Sequence, residues 1–193
     1  MRYITGTFLF SFLILSGVVH SQDSTFSVEE VIVTATKTEK TLQEVPIAVS
    51  VVNADIIEKA GITDMFDLKS VVPSLETRQY QSSTNATFFI RGFGNGSNNP
   101  GVEPSVALFI DGVFRSSMQS QISDLPLLER IEVLRGPQST LFGKNASAGV
   151  INIVTKKPSF DRSGYVSSTL GNFNTKKVKS YITGPLNETT AYS

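Results

Sequence analysis

The residues that could do chemistry are glycines beside cations and carboxylates in pairs, and their spacings fail the familiar tests. Gly92-Phe93-Gly94-Asn95-Gly96 approaches a dinucleotide-binding fingerprint, but Ser97 stands where the third glycine is needed. Gly143-Lys144 approaches a phosphate-binding loop, but Gln138 replaces its first glycine and Asn145, not Ser or Thr, follows the lysine. The only histidine is His20 and there is no cysteine, which removes thiolate metal sites, disulfides, Cys nucleophiles and Ser-His-Asp triads together. Glu29-Glu30 has no partner base, so general acid/base catalysis has no support. The expectation is a binding protein, with no enzymatic activity, no metal and no cofactor. What remains is two arginines, Arg91 and Arg135, each between an apolar run and a glycine.

The elements around these residues read as follows. The 193 residues suit one domain with an appendage, and 40% apolar against 18% charged residues is a globular balance. A formal net charge of zero gives no broad basic field, so nucleic acid is not an expected partner. Residues 1–21 have the pattern of a secretory signal peptide: Arg2, an apolar run over 8–15, a Ser16-Gly17 break, and small residues Val19 and Ser21 before a cut. The other reading is an uncleaved anchor, but the run is short of the roughly 20 apolar residues a spanning helix needs. Residues 22–27 are small and polar. Val28-Glu29-Glu30-Val31-Ile32-Val33-Thr34-Ala35 is rich in β-branched residues and favours an extended chain, either as the first strand of a sheet or as a free pairing strand. Residues 36–45 read as a linker.

From Pro46 the text becomes that of a folded body. Residues 47–52 predict a short strand, Asn53 a helix N-cap, 54–60 a helix and Gly61 its C′ glycine. Thr63 is placed to cap a second helix over 64–71, with Met65, Leu68 and Val72 at helical spacing and Pro73 ending it. Strands are predicted at 87–91, 106–110, 113–114, 131–134 and 150–155, with Asp111-Gly112 as a hairpin turn. Glu129, Arg130 and Glu132 are expected as local ion pairs on the surface, each contributing little. Strands and short helices mix without a regular βα period, so the fold class is α+β. After Pro158 the texture changes. Residues 163–170 and 177–183 alternate weakly, Val166 and Leu170 falling on one face, as do Val178 and Ile182, and 189–193 starts a third segment. This is the faint signature of membrane-barrel strands.

The segments FFIRGFG, LFIDGVF, ERIEVLRGP and LFGKNASAGVINIVTKKP, in this order between residues 88 and 158, carry a resemblance. The chain resembles the plug domain of TonB-dependent outer-membrane receptors, over about residues 28–158. The resemblance implies a plug with a small mixed sheet and short helices, a signal peptide over 1–21, a Ton box and linker over 22–45, the plug over 46–158 and the start of an incomplete β-barrel over 159–193. It implies a location in the outer membrane, the plug lying in the barrel lumen, and TonB-energised uptake of a scarce solute such as a siderophore or cobalamin. Glu29, Glu30, Val31, Ile32, Val33, Thr34 and Ala35 would be the TonB-binding strand, pairing by backbone hydrogen bonds. Arg91 and Arg135 would pair with acids on the barrel wall; the alternative for both is a solvated strand end. Partners would be TonB, outer-membrane lipid through the barrel, and a small-molecule ligand. Polar loops over 79–86, 94–103 and 115–124 supply the ligand-contact candidates Tyr80, Gln81, Asn85, Asn95, Arg115, Met118 and Gln119, whose amides, hydroxyl and cation could read a polar solute. The departure from the pattern is Pro73-Ser74-Leu75, where many plugs have Pro-Gly-Val. Strands with a free edge cannot lie in lipid, so the expectation is a truncated or partial receptor. The alternative is a free periplasmic module that binds a ligand or TonB without transport.

Overall fold

The computed structural model describes residues 32–34, 38, 40–62, 64–79, 86–95, 101–116 and 127–193. The expected signal peptide, Glu29, Glu30, Val31, Ala35, the Thr63 cap, and the ligand-contact candidates Tyr80, Gln81, Asn85, Met118 and Gln119 lie outside the described residues.

In chain order the elements are β1 (Ile32–Val33), β2 (Lys40–Thr41), a 3-10 turn (Leu42–Glu44), β3 (Ala48–Asn53), α1 (Ala54–Lys59), a second 3-10 turn (Asp67–Ser70), β4 (Leu75–Gln79), β5 (Ala86–Ile90), β6 (Phe93–Gly94), β7 (Val106–Ile110), β8 (Val113–Arg115), β9 (Leu128–Arg135), α2 (Ser139–Phe142), β10 (Gly149–Thr155), β11 (Ser163–Leu170), β12 (Lys176–Pro185) and β13 (Ala191–Tyr192). Mixed sheets with few short helices make this the expected α+β plug fold.

The centre is a five-stranded sheet in the order β3-β9-β10-β7-β8. β10 runs parallel to β7, and the other pairs are antiparallel. Both faces are buried, and period-two alternation assigns each residue to a face. Ile131 and Val133 of β9, Ile151 and Ile153 of β10, and Val106 and Leu108 of β7 pack with Met65, Leu68, Val72, Leu75, Phe88 and Ile90. Leu134, Val150, Ala107 and Phe109 face the other way, onto Val33, Val45 and Ala146, with Phe142 and Phe114 at the margin. The second face is therefore roofed in part by the N-terminal strap. β4-β5-β6 form a smaller antiparallel sheet beside the first core.

Local rules set most boundaries. The Asn53 side chain accepts a hydrogen bond from Ile56 N at 2.9 Å, and Gly61 takes φ +64°, so α1 is capped at both ends. Asp111 and Gly112 both have positive φ (48° and 80°), as a type I′ turn between β7 and β8 requires. Two expectations need correction, and one strand is additional to those predicted. The helix over 64–71 is only a 3-10 turn: Asp64 Oδ1 accepts from Phe66 N and Asp67 N, which closes a local turn, and Val71-Val72-Pro73 disfavours continuation. Its apolar spacing was right, since Met65, Leu68 and Val72 are all buried. The 36–45 linker contains β2, which pairs with β1, and a 3-10 turn. β4 was not expected, because only Leu75 among its residues is buried and no alternation betrays it; pairing with β5 makes it a strand.

Beyond Pro158, β11, β12 and β13 form an open antiparallel sheet. Register places Val166, Leu170, Val178 and Ile182 on one face, all exposed. Tyr165, Ser167, Lys177, Lys179 and Tyr181 line the opposite face, toward a groove shared with α1. The expected single-sided apolar pattern is thus realised, with the four large residues on one common side. No described helix is long and apolar enough to cross a membrane.

Candidate functional site

The strap meets the sheet at a buried carboxylate. β9 alternates apolar residues on one side with Arg130, Glu132 and Leu134 on the other, and Glu132 has none of its surface exposed. Register sets Asn152 of β10 directly beside Glu132. Thr34, one residue past β1, donates from its backbone N–H to Glu132 Oε1 at 2.9 Å. Its hydroxyl lies 3.2 Å from Oε1 and 3.4 Å from Oε2. Arg130 donates from Nε to Glu132 Oε1 at 2.8 Å, and also pairs with Glu129. Asn152 Nδ2 donates to Glu132 Oε2 at 3.1 Å and reaches the Thr34 hydroxyl at 3.2 Å. The expectation that Glu132 belongs to a surface ion pair is therefore wrong: its carboxylate is buried, and it is tolerated there because four donors satisfy it. The Glu129–Arg130 contact lies nearer solvent.

This cluster borders a groove of about 730 Å³ lined by Ile32, Thr34, Phe109, Phe142, Asn152 and Lys157, among others. Asp111 and Gly112, at the end where β7 stops, also border it. Ile32 is half-exposed over the groove, whereas Val33 is fully buried in the second core. Of the expected TonB-binding residues, the described ones, Ile32, Val33 and Thr34, thus lie docked on the plug, with Ile32 and Val33 paired to Thr41 and Lys40. Sequence reading missed Glu132, Arg130 and Asn152 as their holders. The signal was present: a charged and an amide residue inside two strands otherwise apolar enough to be buried on both sides.

The arginines lie at the opposite end of the sheet. Arg135 ends β9 in register with Gly149, where β10 begins. A Cβ on Gly149 would fall 2.5 Å from the Leu134 carbonyl oxygen, a backbone atom of β9, and 2.6 Å from Ile90 Cδ1 at the end of β5, so glycine is what fits where these strand ends meet. Arg91 follows Ile90 directly, in the left-handed region at φ 54°. The two strand ends carrying Arg91 and Arg135 are thus brought together. Arg135 Nε is buried without a hydrogen-bond partner among the described residues. A buried guanidinium nitrogen in that condition is costly until an acceptor reaches it.

Of the ligand-contact candidates, Asn95 and Arg115 are described. Asn95 donates from Nδ2 to the Glu103 carbonyl at 2.9 Å, which ties the ends of its loop. Glu103 in turn pairs with Lys144 at 2.9 Å, and the lysine's hydrogen bond holds the carboxyl below the usual glutamate range. Arg115 ends edge strand β8, opposite Leu108, and the chain leaves it toward the end where β7 begins. The described loop ends that carry Asn95 and Arg115 therefore lead to the Arg91–Arg135 end, away from the strap groove. No group of three or more His, Cys, Asp or Glu residues suited to a metal occurs among the described residues.

Comparison with known proteins agrees with this geometry. Residues 41–150 match the family model for the TonB-dependent Receptor Plug Domain. The pesticin receptor of Yersinia pestis is 30% identical over 93% of this chain and 26% of its own length. The ferrioxamine B receptor of Salmonella typhimurium is 31% identical over 75% of this chain and 20% of its own. Among solved structures, the ferric yersiniabactin uptake receptor from Yersinia pestis superposes with a TM-score of 0.68 at 32% identity, covering 74% of this chain and 22% of that one. The ferripyoverdine receptor of Pseudomonas aeruginosa, at 22% identity and a TM-score of 0.69, shares the fold. The chain spans about a quarter of the length of the first of these curated relatives.

Proposed function

This chain belongs to the TonB-dependent receptor plug-domain family, and from that premise we propose that it is the plug of an outer-membrane receptor that imports a scarce solute with energy delivered by TonB. Relatives named for ferrioxamine B and ferric yersiniabactin favour a ferric siderophore as the solute class. The observation that carries the reading is the docked strap: a short extended segment lies at one end of the sheet, and the described loop ends considered as ligand contacts lie toward the other. Residues 28–35 would be the strand offered to TonB, including Glu29, Glu30, Val31 and Ala35. Strand addition gives grip through backbone hydrogen bonds and register through alternate side chains. Binding of solute outside would favour a plug conformation that frees the strap, a shift between populations. The work is transport, with no bond in the solute made or broken.

Arg91 and Arg135 would meet acids on the inner wall of the barrel, where the buried Arg135 Nε would find its acceptor. Residues 1–21 would be removed on export, 46–158 would fill the lumen, and the exposed face of β11 and β12 would meet lipid. Tyr80, Gln81, Asn85, Asn95, Arg115, Met118 and Gln119 would line the path of the solute.

The test is energised uptake of a radiolabelled ferric siderophore by cells carrying the complete receptor. Ile32→Pro removes a ladder donor from the strap. Uptake should fall to the level of cells lacking TonB, while solute binding at the surface is unchanged. Unaltered uptake by Ile32→Pro would overturn the assignment of the strap.

A further inference from the structure

We propose that Glu132, with Arg130 and Asn152, forms a latch on the plug that competes with TonB for Thr34. This rests on the reading of residues 28–35 as the TonB-pairing strand. A partner that adds a strand along the edge bearing the Thr34 N–H needs that N–H as a ladder donor. In the docked strap it is already given to Glu132 Oε1 at 2.9 Å. The same group cannot serve both acceptors, so latching and pairing at Thr34 exclude each other.

Three features make the cluster a latch instead of an ordinary polar contact. First, the carboxylate is fully buried, and buried charges hold their donors far more strongly than exposed ones. Second, its other donors come from the sheet itself, Arg130 Nε on the same strand and Asn152 Nδ2 on the neighbouring one, so the acceptor stays fixed when the strap leaves. Third, the latch binds Thr34 twice, through backbone and hydroxyl, with Arg130 at 3.4 Å and Asn152 at 3.2 Å also reaching the hydroxyl. Threonine is thus gripped by its side chain as well as its backbone, where a strand-adding partner takes its grip from the backbone. Beside it Val33 inserts into the second core, and β2 pairs with Ile32 and Val33 through Thr41 and Lys40. The strap is consequently held by a polar latch at one residue and an apolar peg at the next. Release of Thr34 uncovers Glu132 to the water of the adjoining groove, which lowers the cost of the open state.

The consequence is that the apparent affinity of TonB for the resting receptor is reduced by the fraction of strap that is unlatched. Weakening the latch should raise it. The test uses the complete receptor in detergent, without solute, and the periplasmic domain of TonB, titrated by calorimetry. Thr34→Val keeps the strap's β-branched shape and removes its hydroxyl bonds, and Glu132→Gln removes the buried charge. Each should tighten TonB binding by about tenfold, the effect of losing one charge-assisted bond. In Thr34→Val/Glu132→Gln the two gains should fall short of additive, because both act on one latch. Ile32→Pro is measured beside them. If Ile32→Pro abolishes binding while both latch variants bind TonB like the parent or more weakly, the latch is refuted and the strap assignment stands. If Ile32→Pro binds like the parent, the strap assignment itself has failed. Thr34→Val lies on the strap and leaves the sheet intact, so the test survives if Glu132→Gln folds poorly.

Discussion

Glu132 is the residue whose environment departs furthest from what its type suggests. It sits in a strand between Ile131 and Val133, and its neighbours on the adjacent strands are Asn152 and Val51. Single-sequence reading places such a glutamate on the surface, because a buried carboxylate is expensive unless its partners arrive from elsewhere in the chain. Here Thr34 arrives from 98 positions away, and no local pattern announces it. By contrast Asn53 and Gly61 were legible, because caps are decided within one helical turn. Asn53→Ala should lower stability by about 1 kcal/mol, as measured by urea unfolding of the plug. Gly149→Ala should cost more, since its Cβ would meet a backbone oxygen that cannot move aside. A loss of at least 2 kcal/mol by the same measurement is expected, in the range of an overpacked core. Glu103 supplies a pH prediction. Lys144 lowers its folded pKa, so its contribution is present above the unfolded glutamate pKa and is lost as the pH falls through the lower folded value. A carboxyl NMR titration should therefore show Glu103 titrating below the usual glutamate range.

Among the elements, those with continuous apolar runs were read nearly to the residue: β7 and β10 match, β8 follows from the turn before it, and β9 extends its predicted core to Leu128–Arg135. The elements that failed have their determinants elsewhere. β4 is a strand because β5 lies beside it, β2 because the strap does, and the 64–71 helix shortens because Asp64 caps its own turn. The last two long strands carry a separate prediction. Val178 and Ile182 project from the apolar face of β12, and Lys177 and Lys179 from the other. In the complete receptor, Val178→Lys should reduce the yield of folded barrel, at a cost of about 2–4 kcal/mol if it lies at the bilayer midplane. Lys179→Ala should leave it unchanged. Heat-modifiable mobility on gels reads both.

Taken whole, the molecule is a sheet buried on both faces with a recognisable end for the strap and another for the arginines. Its family was legible from four motif segments, whose glycines and arginines mark the close approach at Gly149 and the buried Nε of Arg135. The way the strap docks was not, since it depends on contacts between the two extremes of the plug. The chain also exposes Val166, Leu170, Val178 and Ile182 on one side. In water it should self-associate through that face, and detergent should reverse this; sedimentation velocity with and without detergent checks it.

No cysteine occurs in these 193 residues, so none competes within the plug with one introduced in the strap. Single cysteines placed at 30, 31, 32 and 33 in the complete receptor can be tested in cells for disulfide formation with a cysteine in the periplasmic strand of TonB. Pairing as an added strand predicts cross-links that need solute in the medium and alternate in strength with position, strong at every second residue. Cross-links absent from all four positions, or present equally at all of them with and without solute, would contradict the role assigned to the strap.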